Sequence, residues 1–264
     1  MDILEEIVAY KRREIEEFRL YVPETQLAGM VEKALRIPVP SMREALVASE
    51  TGIIAEFKRR SPSKGWIHRA ADPDVVTKAY EENGASALSI LTDQHFFGGY
   101  DEFVRMARIA GVKTPILYKN FIIDEYQLLQ ARYCGASAVL LIAACLSMDE
   151  CARLLKMAHS LGMEVLLEMH NDRDIAYAEL KPDMYGINNR NLGTFETNVE
   201  NSFNLIGHLP ENVCRVSESG IHDAETVKAL REAGFHGFLM GENLMKAENP
   251  GMALGGFIHQ LKTS

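Results

Sequence analysis

The sequence IIAEFKRRSPSKG at residues 53–65 contains an apolar run that stops at charged residues and continues into a Ser-Pro-Ser-Lys-Gly loop. Residues 52–55 are typical of a strand buried on both faces, as parallel strands are in α/β folds. In an extended strand Glu56, Lys58 and Arg60 would share one face, because side chains alternate. Charged groups at the carboxyl end of a parallel strand are usually catalytic. We therefore expect an active site here; the alternative is an ion-pair cluster on an exposed edge strand.

From residue 52 onward the chain alternates between short apolar runs and longer segments of helical periodicity. We predict eight strands, at residues 52–57, 87–91, 115–118, 138–142, 164–168, 184–187, 213–217 and 237–240. The intervening helices are predicted at about 73–83, 101–110, 124–133, 148–160, 171–179, 199–206, 222–233 and 251–261. Alternation at spacings too long for hairpins favours an α/β fold, the (β/α)8 TIM barrel. The alternative, a doubly wound sheet, is disfavoured because no GxGxxG motif follows the first strand.

The first 50 residues precede the predicted barrel. Residues 2–19 have the apolar stripe of an amphipathic helix, and Ser41 with Glu44 forms a capping-box-like start to a second helix that ends near Ser49. A segment this short could hardly build its own core, so a separate small domain is the weaker alternative. We expect a single domain over residues 1–264, with residues 1–50 as an N-terminal helical extension packed on the barrel.

Composition narrows the functional classes. The net charge of −9 argues against a nucleic-acid partner, because phosphate-backbone binding needs a large basic face. No signal peptide and no run of about 18 apolar residues is present, so we expect a cytoplasmic protein without a membrane partner. The histidines lack HxH or HExxH spacing, which predicts no metal site. Four cysteines lack CxxC spacing and are predicted to be buried free thiols: Cys134, Cys145, Cys151 and Cys214.

Reactive and aromatic residues follow several predicted strands, whose carboxyl ends share one rim in a barrel. The third strand leads into Lys119, and the fifth ends in Glu168. We expect burial near another cation to lower the pKa of Lys119, and desolvation to make Glu168 a stronger base. The two side chains would then act as acid and base over one cavity. The sixth strand continues to Asn188 and Arg190, an amide and a guanidinium that could orient a carboxylate or hydroxyl group.

Turns after the seventh and eighth strands indicate a phosphorylated ligand. These turns contain Ser219 with Gly220, and Gly241 with Glu242, and each leads into a helix. Backbone N–H groups and helix N-termini at these two positions commonly bind phosphate in barrel enzymes. A small anionic substrate is compatible with an acidic protein if cations converge at the mouth, and the candidates are Lys58, Arg60, Lys119 and Arg190.

Taken together, the strand motifs resemble those of the indole-3-glycerol phosphate synthase family, in order from about residue 50 to the end. The motifs are IIAEFKRRSPSKG, LSILTDQHFFGG, PILYKNFIIDEYQL, GASAVLLIAACL, LLEMH, GINNRNL, VSESGI and LMGENLM. The resemblance implies a carboxy-lyase of tryptophan biosynthesis. It would close 1-(2-carboxyphenylamino)-1-deoxyribulose 5-phosphate to indole-3-glycerol phosphate, with loss of carbon dioxide and water, by general acid-base catalysis. It also implies that neither a metal nor an organic cofactor takes part.

The resemblance further implies roles for individual residues. Lys119 looks like the general acid of ring closure and Glu168 like the base or acid of the dehydration, while Lys58 would contact the substrate and share in proton transfers. The other implied catalytic residues are Glu56, Asn188 and Glu218. The implied substrate-binding residues are Arg60, Ser61, Phe97, Phe121, Leu140, Arg190, Ser219, Gly220, Gly241 and Glu242, of which Phe97, Phe121 and Leu140 would hold the anthranilate ring.

Two residues depart from the family pattern. Asn120 stands where the family usually has an aspartate, which removes a possible charge partner and affects the expected pKa of Lys119 or its neighbours. Arg60 stands where a lysine is frequent, and it keeps the charge but not the geometry of a lysine.

Two other functions remain as alternatives. A phosphoribosylanthranilate isomerase-like barrel would share the phosphate turns but has no use for Lys58, Lys119 and Glu168 together. A catalytically silent scaffold is disfavoured because Lys119 and Glu168 are both present.

We expect the chain to act without a fused isomerase barrel, as a monomer, with a weak homodimer as the alternative. Residues 59–71 are predicted to form a mobile loop that closes over the substrate.

Overall fold

The computed structural model of the protein describes residues 3–263 and contains a closed barrel of eight parallel strands. The strands are β1 (Ile53–Phe57), β2 (Ala87–Leu91), β3 (Ile116–Lys119), β4 (Ala138–Ile142), β5 (Glu164–Met169), β6 (Met184–Asn188), β7 (Cys214–Glu218) and β8 (Gly237–Met240). Each pairs with the next along the chain, and β8 closes the barrel on β1 with Phe238 opposite Ile53. The predicted TIM barrel is therefore confirmed.

Helices precede β1 and surround the barrel between and after the strands. They are α1 (Ile3–Tyr21), α2 (Glu24–Ala34), α3 (Met42–Ala48), α4 (Pro73–Glu82), α5 (Gln94–Phe97), α6 (Asp101–Ile109), α7 (Glu125–Cys134), α8 (Met148–Ser160), α9 (Glu200–Leu205), α10 (Ala224–Glu232), α11 (Glu242–Met245) and α12 (Pro250–Thr263). None of the helices described between residues 3 and 263 combines the length and hydropathy needed to cross a bilayer.

Some segments differ from the prediction. The segment at 171–179, predicted as an α-helix, is the 3-10 helix Asp174–Leu180. Helix α2 was not predicted. Pro23 lies at its N-cap, where the missing proline N–H costs no helical hydrogen bond. A short hairpin that pairs Arg60–Ser61 with Gly65–Trp66 was also missed.

The segment before β1 closes the amino end of the barrel. Ser41 caps α3 by accepting from the N–H of Glu44, and its hydroxyl donates to the Glu164 carboxylate at the start of β5 over 2.5 Å. This anchor places Met42 and Leu46, both fully buried, against the apolar side chains inside the barrel. The opposite, carboxyl end remains open for a ligand.

Helix α1 packs beside that open end. Lys11 and Asp93 form an ion pair of 2.7 Å in which the side chains are only 1% and 0% exposed. Farther along α1, Arg19 donates to Asp124 at the N-cap of α7 over 2.7 Å. Ile15 joins the main hydrophobic core. The N-terminal helix is thus attached to the loops that carry the site.

Candidate active site

A cavity of about 160 Å³ lies at the carboxyl ends of the strands. Of the candidate residues, it is lined by Glu56, Lys58, Ser61, Phe97, Lys119, Phe121, Leu140, Glu168, Asn188, Arg190, Glu218, Ser219, Gly220, Gly241 and Glu242. Helix α1 makes a contribution that was not predicted, because it adds Ile3, Leu4 and Ile7 to the wall. These come from a helix far from the strand motifs in sequence, so no strand-end argument could have found them.

Arg60 does not line the cavity, and its predicted place beside Glu56 and Lys58 is wrong. Strand β1 ends at Phe57, so the alternation of side chains does not extend to residue 60. The Arg60 guanidinium instead lies 5.8 Å from the Trp66 ring and donates to the His95 carbonyl over 3.3 Å. Arg60 therefore holds the hairpin against the loop after β2.

Lys119 is the centre of the charged cluster. Its Nζ lies 3.2 Å from Glu168 Oε2 and makes a closer contact with Glu218 Oε2. Burial lowers the pKa of Lys119, but the charges of Glu218, Glu168 and Glu56 outweigh burial and raise it. The predicted lowering is wrong because carboxylates, and not a second cation, surround the ammonium group. Lys119 is consequently charged before substrate binds.

The two carboxyl groups beside Lys119 titrate in opposite directions. Burial raises the pKa of Glu168, but the charge of Lys119 and the contact with His170 bring it below its usual value. The expected strengthening of Glu168 by desolvation is therefore wrong. Burial together with the neighbouring Glu168 raises the pKa of Glu218 to about 7, against the lowering effect of Lys119. Carboxyl groups with such different pKa values can take different roles. Glu168 can accept a proton, whereas Glu218 can hold a proton and pass it on.

A second ion pair lies across the cavity on β1. Lys58 Nζ is 2.7 Å from Glu56 Oε1, and the Ser89 hydroxyl donates to Glu56 Oε2 over 3.3 Å. Burial raises the pKa of Glu56, but Lys58 and Lys119 bring it below its usual value. Gly241 permits this arrangement, because a Cβ there would lie 2.7 Å from Glu56 Oε1. Lys58 is thus paired with Glu56 at the cavity wall.

The residues after β6 form a polar edge. Asn188 accepts from the Arg190 N–H at 3.0 Å, and its backbone carbonyl accepts from Asn201 at 3.0 Å. The Arg190 guanidinium is 3.8 Å from Glu242 Oε2 and donates to Thr197 over 3.2 Å. These contacts hold a partly exposed cation beside Glu242 in the turn after β8 without a tight ion pair.

The turn after β7 has an unusual backbone. Ser219 and Gly220 both adopt left-handed conformations, with φ of 68° and 76°. A non-glycine residue in this region is strained, and such strain concentrates at functional sites. Turns of this type direct successive N–H groups at anions. The Glu242 carboxylate, which also lines the cavity, is paired with Lys246 at 2.6 Å, and this offsets part of its negative charge.

An apolar part of the cavity is suited to a flat ring. Phe97 and Phe121 lie with ring centroids 5.9 Å apart and an interplanar angle of 37°. Phe97 is positioned by Asp93, whose carboxylate accepts from the Phe97 N–H at 3.2 Å and from the Phe96 N–H at 2.7 Å. Leu140 contributes the floor from β4.

Asn120 does not contact the Lys119 ammonium. Its side-chain amide donates to Thr92 over 2.9 Å, and its Oδ1 accepts from the Phe121 N–H at 2.9 Å. The charge partners of Lys119 are provided by β5 and β7 instead. The substitution of the usual aspartate therefore leaves the ammonium group fully paired.

His170 was not singled out by the sequence analysis. Its Nε2 lies 3.1 Å from Glu168 Oε1, on the side away from Lys119. The signal available in the sequence was the position of the histidine in LLEMH, two residues after Glu168 and one residue beyond the end of β5. His170 does not itself line the cavity.

Comparison with known proteins gives a consistent family. The family model described as indole-3-glycerol phosphate synthase matches residues 4–257. An indole-3-glycerol phosphate synthase from Bacteroides thetaiotaomicron is 53% identical over 262 residues, covering 99% of both chains. The enzyme of the same name from Magnetococcus marinus is 42% identical and covers 96% of this chain and 97% of its own.

Solved structures show likeness of fold alone. A mutant tryptophan synthase alpha-subunit from Pyrococcus furiosus has a TM-score of 0.61 at 14% identity, covering 81% of this chain and 98% of its own. The 3-hexulose-6-phosphate synthase from Salmonella typhimurium has a TM-score of 0.61 at 12% identity, covering 80% and 99%.

Proposed function

The chain belongs to the indole-3-glycerol phosphate synthase family, and on that premise we propose which of its residues carry out the family's reaction. Membership makes it a carboxy-lyase of tryptophan biosynthesis that acts on a phosphorylated small molecule. The substrate is 1-(2-carboxyphenylamino)-1-deoxyribulose 5-phosphate. The observation that carries the proposal is the position of the Lys119 ammonium between Glu168 and Glu218 at the base of the cavity.

Ring closure needs an acid. The ring carbon that carries the carboxylate bonds to the substrate carbonyl carbon, and the carbonyl oxygen takes a proton from the Lys119 ammonium. Carbon dioxide then leaves that ring carbon, and its bonding electrons restore the aromatic ring. The Glu218 carboxyl, with its pKa raised to about 7, can return a proton to the Lys119 amine across their direct contact.

Dehydration needs a base and a second acid. The new hydroxyl leaves as water with a proton from Lys58 or Lys119, while Glu168 accepts the proton lost from the adjacent carbon. The lowered pKa of Glu168 supports the base role, because the carboxylate is ionised throughout the neutral range. These transfers use side chains alone, and the proposal assigns no step to a metal or organic cofactor.

Substrate binding divides between two ends of the cavity. Phe97, Phe121 and Leu140 hold the anthranilate ring. The turn at Ser219 and Gly220, with the backbone around Gly241 and Glu242, holds the phosphate, and its charge is balanced by Lys58 and Arg190. Asn188 orients the substrate between these ends, and Ser61 closes the cavity from the hairpin.

We also propose the setting in which the chain works. Helix α1 packs its charged side chains into the loops at the barrel mouth, which supports one domain in which residues 1–50 are an extension. A pathway of small phosphorylated metabolites supports a cytoplasmic location. We propose a monomer, with a weak homodimer as the alternative that sedimentation would reveal.

The experiment follows formation of the fluorescent indole product after mixing the protein with this substrate, without added metal. The unsubstituted chain is expected to form product and Glu168→Gln to form almost none. Glu179→Gln, an exposed glutamate in the segment after β5, is the matched control and is expected to retain activity. Normal product formation by Glu168→Gln would remove the base role from Glu168.

A further inference from the structure

Three side chains form a line behind the proposed base. Glu168 Oε1 lies 3.1 Å from His170 Nε2, and His170 Nδ1 lies 3.7 Å from Asp174 Oδ2. The His170 side chain is 10% exposed and Asp174 is buried, whereas the cavity wall is formed by Glu168 alone of the three. Substrate would therefore meet the carboxylate and not the imidazole.

The loop that presents His170 is fixed on both sides. The His170 N–H donates to Asp174 Oδ2 over 2.8 Å, and the His170 carbonyl accepts from Asn201 at 3.1 Å. The same Asn201 amide donates to the Asn188 carbonyl over 3.0 Å. The His170 backbone is thus held beside β5 and β6, the two strands that carry Glu168 and Asn188.

We propose that His170 is a positioning residue for Glu168, holding Oε1 from behind so that Oε2 faces Lys119 and the substrate, while Asp174 holds the backbone that presents the imidazole. This inference rests on the proposed role of Glu168 as base. It gives Glu168 a second cationic neighbour, one that remains when Lys119 has given up its proton.

The charges around Glu168 explain why a second cation matters. Besides His170, the groups that face Glu168 are the Lys119 ammonium, the Glu218 carboxyl, the Asn188 amide and the Cys145 thiol, with Glu56 beyond Lys119. Of these, Lys119 alone is a cation, and it becomes a neutral amine once it protonates the substrate. Without another counterion, the buried Glu168 would then tend to take up a proton and cease to be a base.

The surroundings of His170 favour its charged form. Burial lowers the pKa of His170, but Asp174 and Glu168 outweigh burial and raise it to about 9. The imidazolium therefore persists at neutral pH and faces Glu168 throughout the cycle. Burial of a charged histidine between two carboxylates carries a desolvation cost in free energy. Titratable groups perturbed in this way cluster at functional sites, which agrees with a role beyond packing.

The kinetic test compares His170→Gln, which keeps a neutral donor near Nε2, with His170→Ala, which keeps none. In both variants the acid limb of the kcat profile is expected to move to higher pH, so that kcat at pH 6 falls roughly 10-fold relative to pH 8. At pH 8 His170→Gln is expected to recover much of the kcat that His170→Ala loses, while KM changes little in either. His159→Gln, which removes an exposed histidine paired with Asp183 at 2.8 Å, is the matched control and is expected to keep the original profile.

A second measurement needs no turnover. An NMR titration of the histidine ring protons in the substrate-free protein, with His170 identified by its absence in His170→Gln, should give a pKa well above 6.5. In Glu168→Gln that value should fall. A His170 pKa at or below 6.5, or an acid limb unmoved in both His170 variants, would overturn the proposal. Failure of the unsubstituted chain to form product would count against the proposed function, and the titration would still decide whether His170 and Glu168 are coupled.

Discussion

Glu168 and Glu218, two strands apart in the barrel, contact the same ammonium group. Gly186 on the intervening strand makes room for them, because a Cβ there would lie 2.7 Å from Glu218 Oε1. Two buried carboxyl groups that share one cation cannot ionise equally well. The result is an ionised Glu168 and a Glu218 that holds its proton into the neutral range.

Removal of the shared cation should abolish most turnover. Lys119→Met is expected to lower kcat by roughly 10²–10⁴-fold, because it deletes the acid that protonates the substrate carbonyl. Binding of the product, indole-3-glycerol phosphate, should change by less than about threefold, since its phosphate is held elsewhere. Steady-state kinetics and calorimetric titration measure the two effects. Lys156→Met, at an exposed position on α8, is the control, and equal losses of binding and turnover would make Lys119 a positioning group instead.

The raised pKa of Glu218 should make stability depend on pH. A carboxyl group whose pKa rises from 4.5 when unfolded to about 7 when folded contributes stability below pH 4.5 that is lost as pH rises through 7. Glu218→Gln has no such group. Its free energy of unfolding, relative to the unsubstituted chain, should therefore increase between pH 5 and pH 8, by up to about 3 kcal/mol.

Urea unfolding at the two pH values measures this difference. Because the pKa of Glu168 lies below its usual value, Glu168 does not titrate between pH 5 and pH 8. Glu196→Gln, on an exposed loop, should show the same pH dependence as the unsubstituted chain. Parallel stability curves for Glu218→Gln and the unsubstituted chain would show that Glu218 titrates normally.

The sequence predicted where the reactive groups lie but not how they titrate. The parallel barrel places every strand's carboxyl end at one rim, so Lys119, Glu168 and Asn188 could be assigned to a common cavity from their positions alone. The pKa shifts of Lys119, Glu168 and Glu218 depend on distances between side chains 49 and 99 residues apart in the chain, which periodicity does not encode. Arg60 was misplaced for a local reason, since the strand argument was extended three residues beyond the strand's end.

The buried pair between Lys11 and Asp93 should be essential for stability. Lys11→Met leaves a fully buried carboxylate without its cation, and is expected to cost about 3–5 kcal/mol in the free energy of unfolding. Adding Asp93→Asn should restore part of this loss, because Asn removes the unpaired charge and keeps an oxygen to cap α5. Urea midpoints of the single and double variants test the coupling. Lys33→Met, exposed on α2, is the control, and additive effects would argue against the pair.

The hairpin after β1 should act on turnover more than on folding. Pro62 and Ser63 line the cavity, while Trp66 packs against Gly98, where a Cβ would lie 3.0 Å from the indole ring. Deletion of residues 63–66, or Trp66→Ala, removes this docking and should lower kcat/KM by roughly 10-fold or more, because the cavity would stay open to water.

Thermal unfolding of the same variants should change little, since Trp66 is 44% exposed and the hairpin is a two-stranded sheet separate from the barrel. Tyr21→Ala, an exposed aromatic residue at the end of α1, serves as the control for loss of a surface ring.

Because Trp66 is the chain's one tryptophan, its emission also reports on the hairpin directly. Substrate added to the Glu168→Gln protein should shift that emission as the hairpin closes. Normal turnover in the deletion variant, or emission indifferent to substrate, would mean that this hairpin is not a lid.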